Sequence, residues 1–212
     1  IVPPTPLEVE RVREQLLGLD RQGDAVLVSV LAYGGLRPNE TWDLTWVDIR
    51  DRTILVGDTK RGLYRSVDMW KPLATDLAEW KLATGGKYHL VFPNRSGNAW
   101  SETDWRNWRS RVWFGCDYKG RRPENPKYSG KGGVGVPGRT PYALRHTHSS
   151  LMIREDKLSI AEQAAQAGHS IEVHLNTYAH LFSELKGKGS AERAILDARL
   201  HIAKGLHLEE AG

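Results

Sequence analysis

The sequence predicts a single α+β domain, mainly α-helical with one small antiparallel β-sheet. Helix-capping signals recur ahead of apolar residues at helical spacing, one stretch alone switches to short β-prone runs, and 212 residues suffice for one well-buried core. A hydrophobic fraction of 40% and a charged fraction of 26% are those of a globular protein with a polar surface, neither disordered nor membrane-embedded.

Thr5-Pro6-Leu7-Glu8 spells a capping box with proline at the first helical position, and Val9, Val12, Leu16 and Leu19 follow at helical spacing. The apolar run from Asp24 to Tyr33 suits helix or strand on periodicity alone; Gly34-Gly35 ends it. Arg37-Pro38 then restarts a short helix through Glu40 and Leu44, which puts Arg37 at a helix entrance. Thr53 to Val56 and Tyr64 to Val67 are β-prone around a turn-rich Gly57-Asp58-Thr59-Lys60-Arg61-Gly62, an antiparallel pair with Lys60 near the hairpin tip. A helix follows Pro72, and Ser101-Glu102-Thr103-Asp104 opens another whose Trp105, Trp108 and Val112 face the core. Residues 119–139, rich in Gly, Pro, Lys and Arg without periodicity, form one long loop, a linker or a DNA-facing segment. Thr140-Pro141 caps a helix bearing Tyr142, Arg145 and Ser149; Ser159 caps one ending at Gly168; Ser170 caps a third that holds Tyr178. A last amphipathic helix carries Ala191, Ile195, Ala198 and Ile202 and ends at Gly205.

No apolar run approaches the roughly 18 residues that span a bilayer, and Ile1 to Pro6 does not read as a signal segment. Cys116 is the only cysteine, which excludes an internal disulfide and a cysteine-based zinc site and fits a reducing cytoplasm. The net charge of +4 is mild, but its distribution is not. Between Arg106 and Arg145 the basic residues Arg109, Arg111, Lys119, Arg121, Arg122, Lys127, Lys131 and Arg139 are accompanied by only Asp117 and Glu124 as acids, a stretch suited to a polyanion.

Arg37, Lys60, Arg145, His169 and Tyr178 are unremarkable singly; their order and spacing are not. Gly34-Gly35-Leu36-Arg37-Pro38-Asn39-Glu40 with Leu44 resembles the first arginine box of the tyrosine recombinases of phage-integrase type, and Thr140-Pro141-Tyr142-Ala143-Leu144-Arg145-His146-Thr147 resembles the second. Ala167-Gly168-His169-Ser170 matches the Gly-His segment, and Tyr178 stands nine positions beyond His169, where that family keeps its nucleophile. Lys60 falls where the family keeps a catalytic lysine, with Arg61 as the alternative. The resemblance runs from about Thr5 to about Ile202 and implies the tyrosine recombinase catalytic fold over residues 1–212, without the amino-terminal DNA-binding domain usual in the family.

The implied activity is site-specific DNA recombination by strand cleavage and rejoining through a covalent 3′-phosphotyrosyl intermediate. Two guanidiniums, Arg37 and Arg145, would clamp the non-bridging oxygens; Tyr178 would attack; Lys60 would protonate the departing 5′ oxygen; His169 would donate a hydrogen bond to the phosphate. Glu40 would support an active-site arginine or lie solvated on its helix. Tyr142 stands where the second box usually has histidine, and a phenol with a pKa near about 10 is a poor base at neutral pH. Neither cofactor nor metal is expected. His146, His148, His174 and His180 read mostly as solvated or structural. The expected partner is double-stranded DNA, gripped by a homotetramer on paired sites, with accessory directionality or bending proteins and no membrane, in the cytoplasm of a bacterial or phage-infected cell at the nucleoid. The helix from Ser190 to Lys204 is expected to dock into a neighbour or pack on its own core. Two alternatives remain at this point: a type IB topoisomerase-like relaxing enzyme, and a regulator using Ile160 to Leu181 as a helix-turn-helix.

Overall fold

The computed structural model describes residues 2–58, 63–116 and 133–210. Lys60 and Arg61, together with residues 119–132 of the expected loop, lie outside the described residues. The described chain is mainly helical with a two-stranded antiparallel sheet: α1 (Pro6–Gly18), α2 (Gln22–Tyr33), β1 (Thr53–Asp58), β2 (Leu63–Asp68), α3 (Lys71–Thr84), α4 (Glu102–Trp108), α5 (Leu144–Glu155), α6 (Ile160–Ala167), α7 (Ile171–Leu185) and α8 (Ala191–Glu210).

The capping box of α1 forms as spelled: Thr5 accepts from the Glu8 amide at 3.2 Å, and the Glu8 carboxylate accepts from the Thr5 amide at 2.7 Å. The stripe Val9, Val12 and Leu16 is buried against α2. The run that periodicity cannot assign is a helix, α2, and every residue from Ala25 to Tyr33 is buried. A helix enclosed on all sides has no polar face and hence no 3.6-residue signature. α5 packs beside it and is buried almost throughout, so α2 and α5 form the centre, with α1, α3 and α8 around them.

Four elements differ in extent from the sequence reading. After Arg37 the chain makes only a tight 3-10 turn, Pro38–Thr41, closed by the Thr41 hydroxyl on the Pro38 carbonyl at 2.7 Å. Thr140 makes no side-chain cap, and one 3-10 turn, Pro141–Ala143, precedes α5. α4 widens into a π-turn, Arg109–Trp113, which rolls Trp113 into the core beside Trp108. α8 passes through Gly205 to Glu210, because one glycine costs a helix only about 1 kcal/mol and its neighbours Ala203, Lys204 and Leu206 are good helix formers.

In the sheet, Thr53 pairs with Asp68 and Val56 with Arg65. Val67 on β2 is buried while Tyr64 and Ser66 are exposed, so the two-residue alternation puts Arg65 on the inward side. The tryptophans of α4 pack as expected, Trp105 stacked on Trp108 at 5.1 Å, and Trp108 donates to Asp24 at 2.8 Å. Among the described residues no helix is long and apolar enough to cross a membrane.

α8 packs on its own chain. Ala191 and Ile195 are fully buried, and Arg199 reaches an ionic network under α1 and α3. Asp76 binds Arg13 at 2.9 Å, Arg199 at 2.7 Å and the Ser29 hydroxyl at 2.7 Å, while Glu10 binds Arg13 and accepts from Tyr33 at 2.6 Å. Removing one member of such a group strands the others without water. Asp76→Ala is therefore expected to lower unfolding free energy by about 3–5 kcal/mol. Arg193→Ala, which breaks the exposed Arg193–Asp197 pair, should cost less than about 1 kcal/mol; urea titration of both variants checks the contrast.

Candidate active site

Arg37 follows the glycine pair that ends α2. Pro38 disfavours helical backbone at the residue before it, and Arg37 is extended, with φ −71° and ψ 148°. Its amide then donates to Glu40 Oε2 at 2.6 Å and its guanidinium to Glu40 Oε1 at 2.8 Å. Arg65 reaches the same carboxylate from β2 as a fork, 2.8 Å to Oε1 and 2.7 Å to Oε2. Burial alone opposes ionisation of Glu40, but the hydrogen bonds and charge of Arg65, reinforced by Arg37, hold its carboxyl down at about 2.

Both arginines also grip the turn between α6 and α7. Arg37 Nη2 donates to the Gly168 carbonyl at 2.7 Å, and Arg65 Nε to the Gln166 carbonyl at 3.0 Å. Gly168 lies at φ +61°, and a Cβ there would stand 3.1 Å from Arg37 Nη1 and 3.2 Å from Arg65 Nε. Glycine takes that turn without strain and leaves room for two guanidiniums.

Arg145, at the start of α5, is almost wholly buried. Its Nη1 donates to the Gly35 carbonyl and its Nη2 to the Ala167 carbonyl, with His169 Nε2 3.3 Å from Nη2. Burial, then the charge of Arg37, brings Arg145 down to about 10, so it stays cationic at neutral pH. An arginine can only donate, so His169 Nε2 is the acceptor and its proton sits on Nδ1. Burial and then Arg145 hold His169 at about 4, in keeping with a neutral ring. His169 Nδ1 and Arg145 Nε are both buried without a hydrogen-bond partner.

Tyr178 stands on α7, whose first turn is capped by Ser170 through the Val173 amide at 3.2 Å. Its side chain is fully buried with Ile153 and Leu181 in a small cluster between α5 and α7. The rings of His169 and His174 lie 6.3 Å and 4.9 Å away, and the hydroxyl meets His146 Nδ1 at 2.8 Å. Burial raises the phenol above its ordinary range.

Four of the expected site residues, Arg37, Arg145, His169 and Tyr178, thus converge on the ends of α2, α5 and α6 and the inner face of α7. Tyr142 stands at the rim, 45% exposed, with its ring edge-on to His146 at 6.1 Å. Lys60 lies outside the described residues. Glu40 does pair with an arginine, indeed with two. Arg65 is absent from the residues that the sequence nominates, and the alternation of β2 is the available signal, since it sets an arginine in register with buried Val67. His146, solvated or structural on the sequence reading, is instead the hydrogen-bond partner of Tyr178. His148 is structural: it lies under Gly35, whose φ of +61° and lack of a side chain admit the ring, and its Nδ1 is 2.9 Å from the Tyr33 carbonyl.

Three arginines around one carboxylate leave a surplus of positive charge, an anion site with buried donors still unmatched. Among the described residues no cluster of three or more His, Cys, Asp or Glu side chains is arranged to hold a metal ion.

A model of the phage integrase family matches residues 10–184. Among solved structures, the XerA recombinase is similar at a TM-score of 0.63 and 20% identity, over 91% of this chain and 63% of that one. The Tn1549 transposon integrase in complex with transposon right end DNA gives 0.62 and 22%, over 84% and 62%, and lambda integrase bound to DNA gives 0.51 and 17%, over 78% and 55%. The chain therefore spans a little over three fifths of the first two of these structures, and the likeness is one of fold. Among curated proteins none matches this chain.

The histidines give the fold a defined acid sensitivity. Burial keeps His148 at about 3, whereas an unfolded chain protonates it near 6.5. A depressed folded-state pKa means stability that is complete above about pH 6.5 and lost as pH falls toward about 3. Between about pH 6.5 and 5, His148 alone should remove about 2 kcal/mol. His148→Asn, which can keep a donor toward the Tyr33 carbonyl, is expected to be less stable at pH 7 and to flatten that part of the pH profile; urea unfolding at several pH values measures it.

Proposed function

The chain belongs to the phage integrase family, and from that premise we propose that it is the catalytic part of a site-specific DNA recombinase that cuts and rejoins strands through a 3′-phosphotyrosyl bond on Tyr178. The observation that supports this best is the convergence of Arg37, Arg145 and His169 beside a buried tyrosine. A phosphodiester under attack gathers charge on its non-bridging oxygens, and fixed donors aimed there lower the barrier. Arg145 Nε–H and His169 Nδ1–H, buried and unmatched, are donors that a phosphate oxygen would satisfy. Arg37, about one third exposed and held by Glu40, would supply the outer arm of the clamp.

In the proposed step the Tyr178 oxygen attacks phosphorus in line, the bond to the 5′ oxygen breaks, and a covalent ester conserves the bond energy for resealing without a nucleotide cofactor. Lys60 is the proposed acid for the departing oxygen. Tyr142, at the rim, is proposed to hydrogen-bond the phosphate. Double-stranded DNA is the partner, bound through phosphate contacts by a homotetramer on paired sites in the cytoplasm, at the nucleoid, with accessory proteins setting direction.

The family match favours recombination over topoisomerase-like relaxation. A binding-only regulator is disfavoured by the turn between α6 and α7, whose carbonyls at Gln166, Ala167 and Gly168 are occupied by the three arginines.

Covalent capture tests the proposal. A randomised pool of nicked duplexes should yield an SDS-resistant adduct whose tryptic peptide carries the nucleotide on Tyr178, and Tyr178→Phe should give none. No adduct, or an adduct on another residue, counts against it. Arg145→Ala should slow adduct formation by about 10²–10³ or more. Lys60→Ala should be slow on ordinary DNA and restored by a bridging sulfur at the 5′ position, because a thiolate leaves without a proton; restoration of Arg61→Ala instead would move the acid to Arg61.

A further inference from the structure

A tyrosine that attacks phosphorus must lose a proton, and the position where the family resemblance leads one to expect a histidine for this work is Tyr142. Its phenol is 45% exposed at the rim, and an un-ionised phenol is a weak base. Four residues further along the chain is a group better placed. His146 Nδ1 lies 2.8 Å from Tyr178 Oη, with the rings edge-on at 5.7 Å and 62°. We propose that His146 takes the proton from Tyr178 as its oxygen attacks, replacing the histidine missing at position 142. The proposal rests on the reading of Tyr178 as nucleophile.

The other imidazoles near Tyr178 do not suit the task. His169 stacks on the ring, but its Nε2 is engaged with Arg145 and its other nitrogen bears the proton. Both nitrogens of His174 are buried without a hydrogen-bond partner, so neither is bonded to Tyr178 Oη. The location of His146 follows from local structure: the 3-10 turn Pro141–Ala143 passes into α5 at Leu144, so Arg145 and His146 project in adjacent directions, one to the carbonyls of Gly35 and Ala167 and the other to α7.

His146 begins the step neutral, with its proton on Nε2 and a lone pair on Nδ1. The Tyr178 O–H bond breaks as N–H forms at Nδ1; Oη bonds to phosphorus; the bond to the 5′ oxygen breaks, and that oxygen takes its proton from a separate acid, Lys60 in the reading above. On resealing, the incoming 5′ hydroxyl gives its proton back to the separate acid, Lys60 in the reading above, its oxygen bonds to phosphorus as the bond to Tyr178 Oη breaks, and His146 returns its proton to Oη.

The charged and titratable groups acting on His146 are Arg145 on its own helix, Arg139 and Tyr142 ahead of it, and His169 and Tyr178 from across the cleft. Burial and then Arg145 hold His146 at about 4 in the free protein, which keeps Nδ1 open as an acceptor but makes it a weak base. A phosphate seated on Arg145 cancels the second of these effects, the charge of Arg145, and leaves that of burial. Substrate binding would thereby strengthen the base at the moment it is used.

The test is single-turnover adduct formation on a nicked duplex obtained by covalent capture, from about pH 6 to about pH 9, with wild type, His146→Asn and Tyr178→Phe. Asparagine can still accept from the phenol but cannot take its proton. His146→Asn is expected to bind DNA within roughly twofold of wild type, to form adduct about 10²–10⁴ times more slowly at pH 7, and to recover about tenfold per pH unit; a bridging 5′ sulfur should not restore it. Adduct formation within roughly threefold of wild type, or a deficit independent of pH, would overturn the proposal. If Tyr178→Phe still forms adduct, the nucleophile reading itself fails; if that variant is inactive and His146→Asn is not, only the role of His146 fails. Nitrogen-15 NMR of histidine-labelled wild type gives a second readout that no folding defect can blur. His146 Nδ1 should report as the unprotonated acceptor, and a protonated Nδ1 donating to Tyr178 would contradict the proposal.

Discussion

The site depends on the buried guanidinium of Arg145. One of its terminal nitrogens donates to the carbonyl two residues before Arg37, the other to the carbonyl two residues before His169. That one side chain ties the end of α2, the start of α5 and the end of α6 together. A cation taken out of water needs hydrogen-bond acceptors, and Arg145 has them at both terminal nitrogens while its Nε stays unmatched. Arg37 and Arg65 add like charge nearby, and Glu40 offsets it by holding both. Two glycines at positive φ serve the same site: Gly35 lets α2 end against His148, and Gly168 lets the turn sit beneath two guanidiniums.

Much of this is legible in the amino-acid sequence. The capping boxes at Thr5, Ser101 and Ser159 and the cap at Ser170 form as spelled, because these are contacts within four residues and local chemistry decides them. The hairpin too is readable from its β-prone runs. α2 is not, because a fully enclosed helix has lost the polar face that periodicity detects. The network of Glu10, Arg13, Asp76 and Arg199 joins residues from three helices that no local pattern relates. Within the site, spacing is enough to nominate Arg37, Arg145, His169 and Tyr178 but, Glu40 apart, not their partners. Whether His146 faces solvent or α7 turns on a 3-10 turn in the place of a capped helix start, and a one-residue difference in helical phase swings a side chain by about 100°.

The free protein keeps its tyrosine quiet. Tyr178 is enclosed by Ile153, Leu181 and three imidazoles, and burial favours the neutral phenol. On the proposed reading an anion arriving at Arg145 favours the protonated imidazole of His146, while the phenol gives up its proton only as its oxygen bonds to phosphorus. On that reading the positive charge of three arginines in one cleft makes the base beside Tyr178 depend on the substrate's charge.

The most direct measurement is a crystal structure with DNA ends and orthovanadate, whose five-coordinate geometry imitates phosphorus in mid-transfer. Vanadium is expected to be bonded to Tyr178 Oη, with equatorial oxygens on Arg37, Arg145 and His169 and with His146 still at the tyrosine oxygen. Vanadate bound away from Tyr178, or a different side chain at its apical position, would contradict attack by Tyr178.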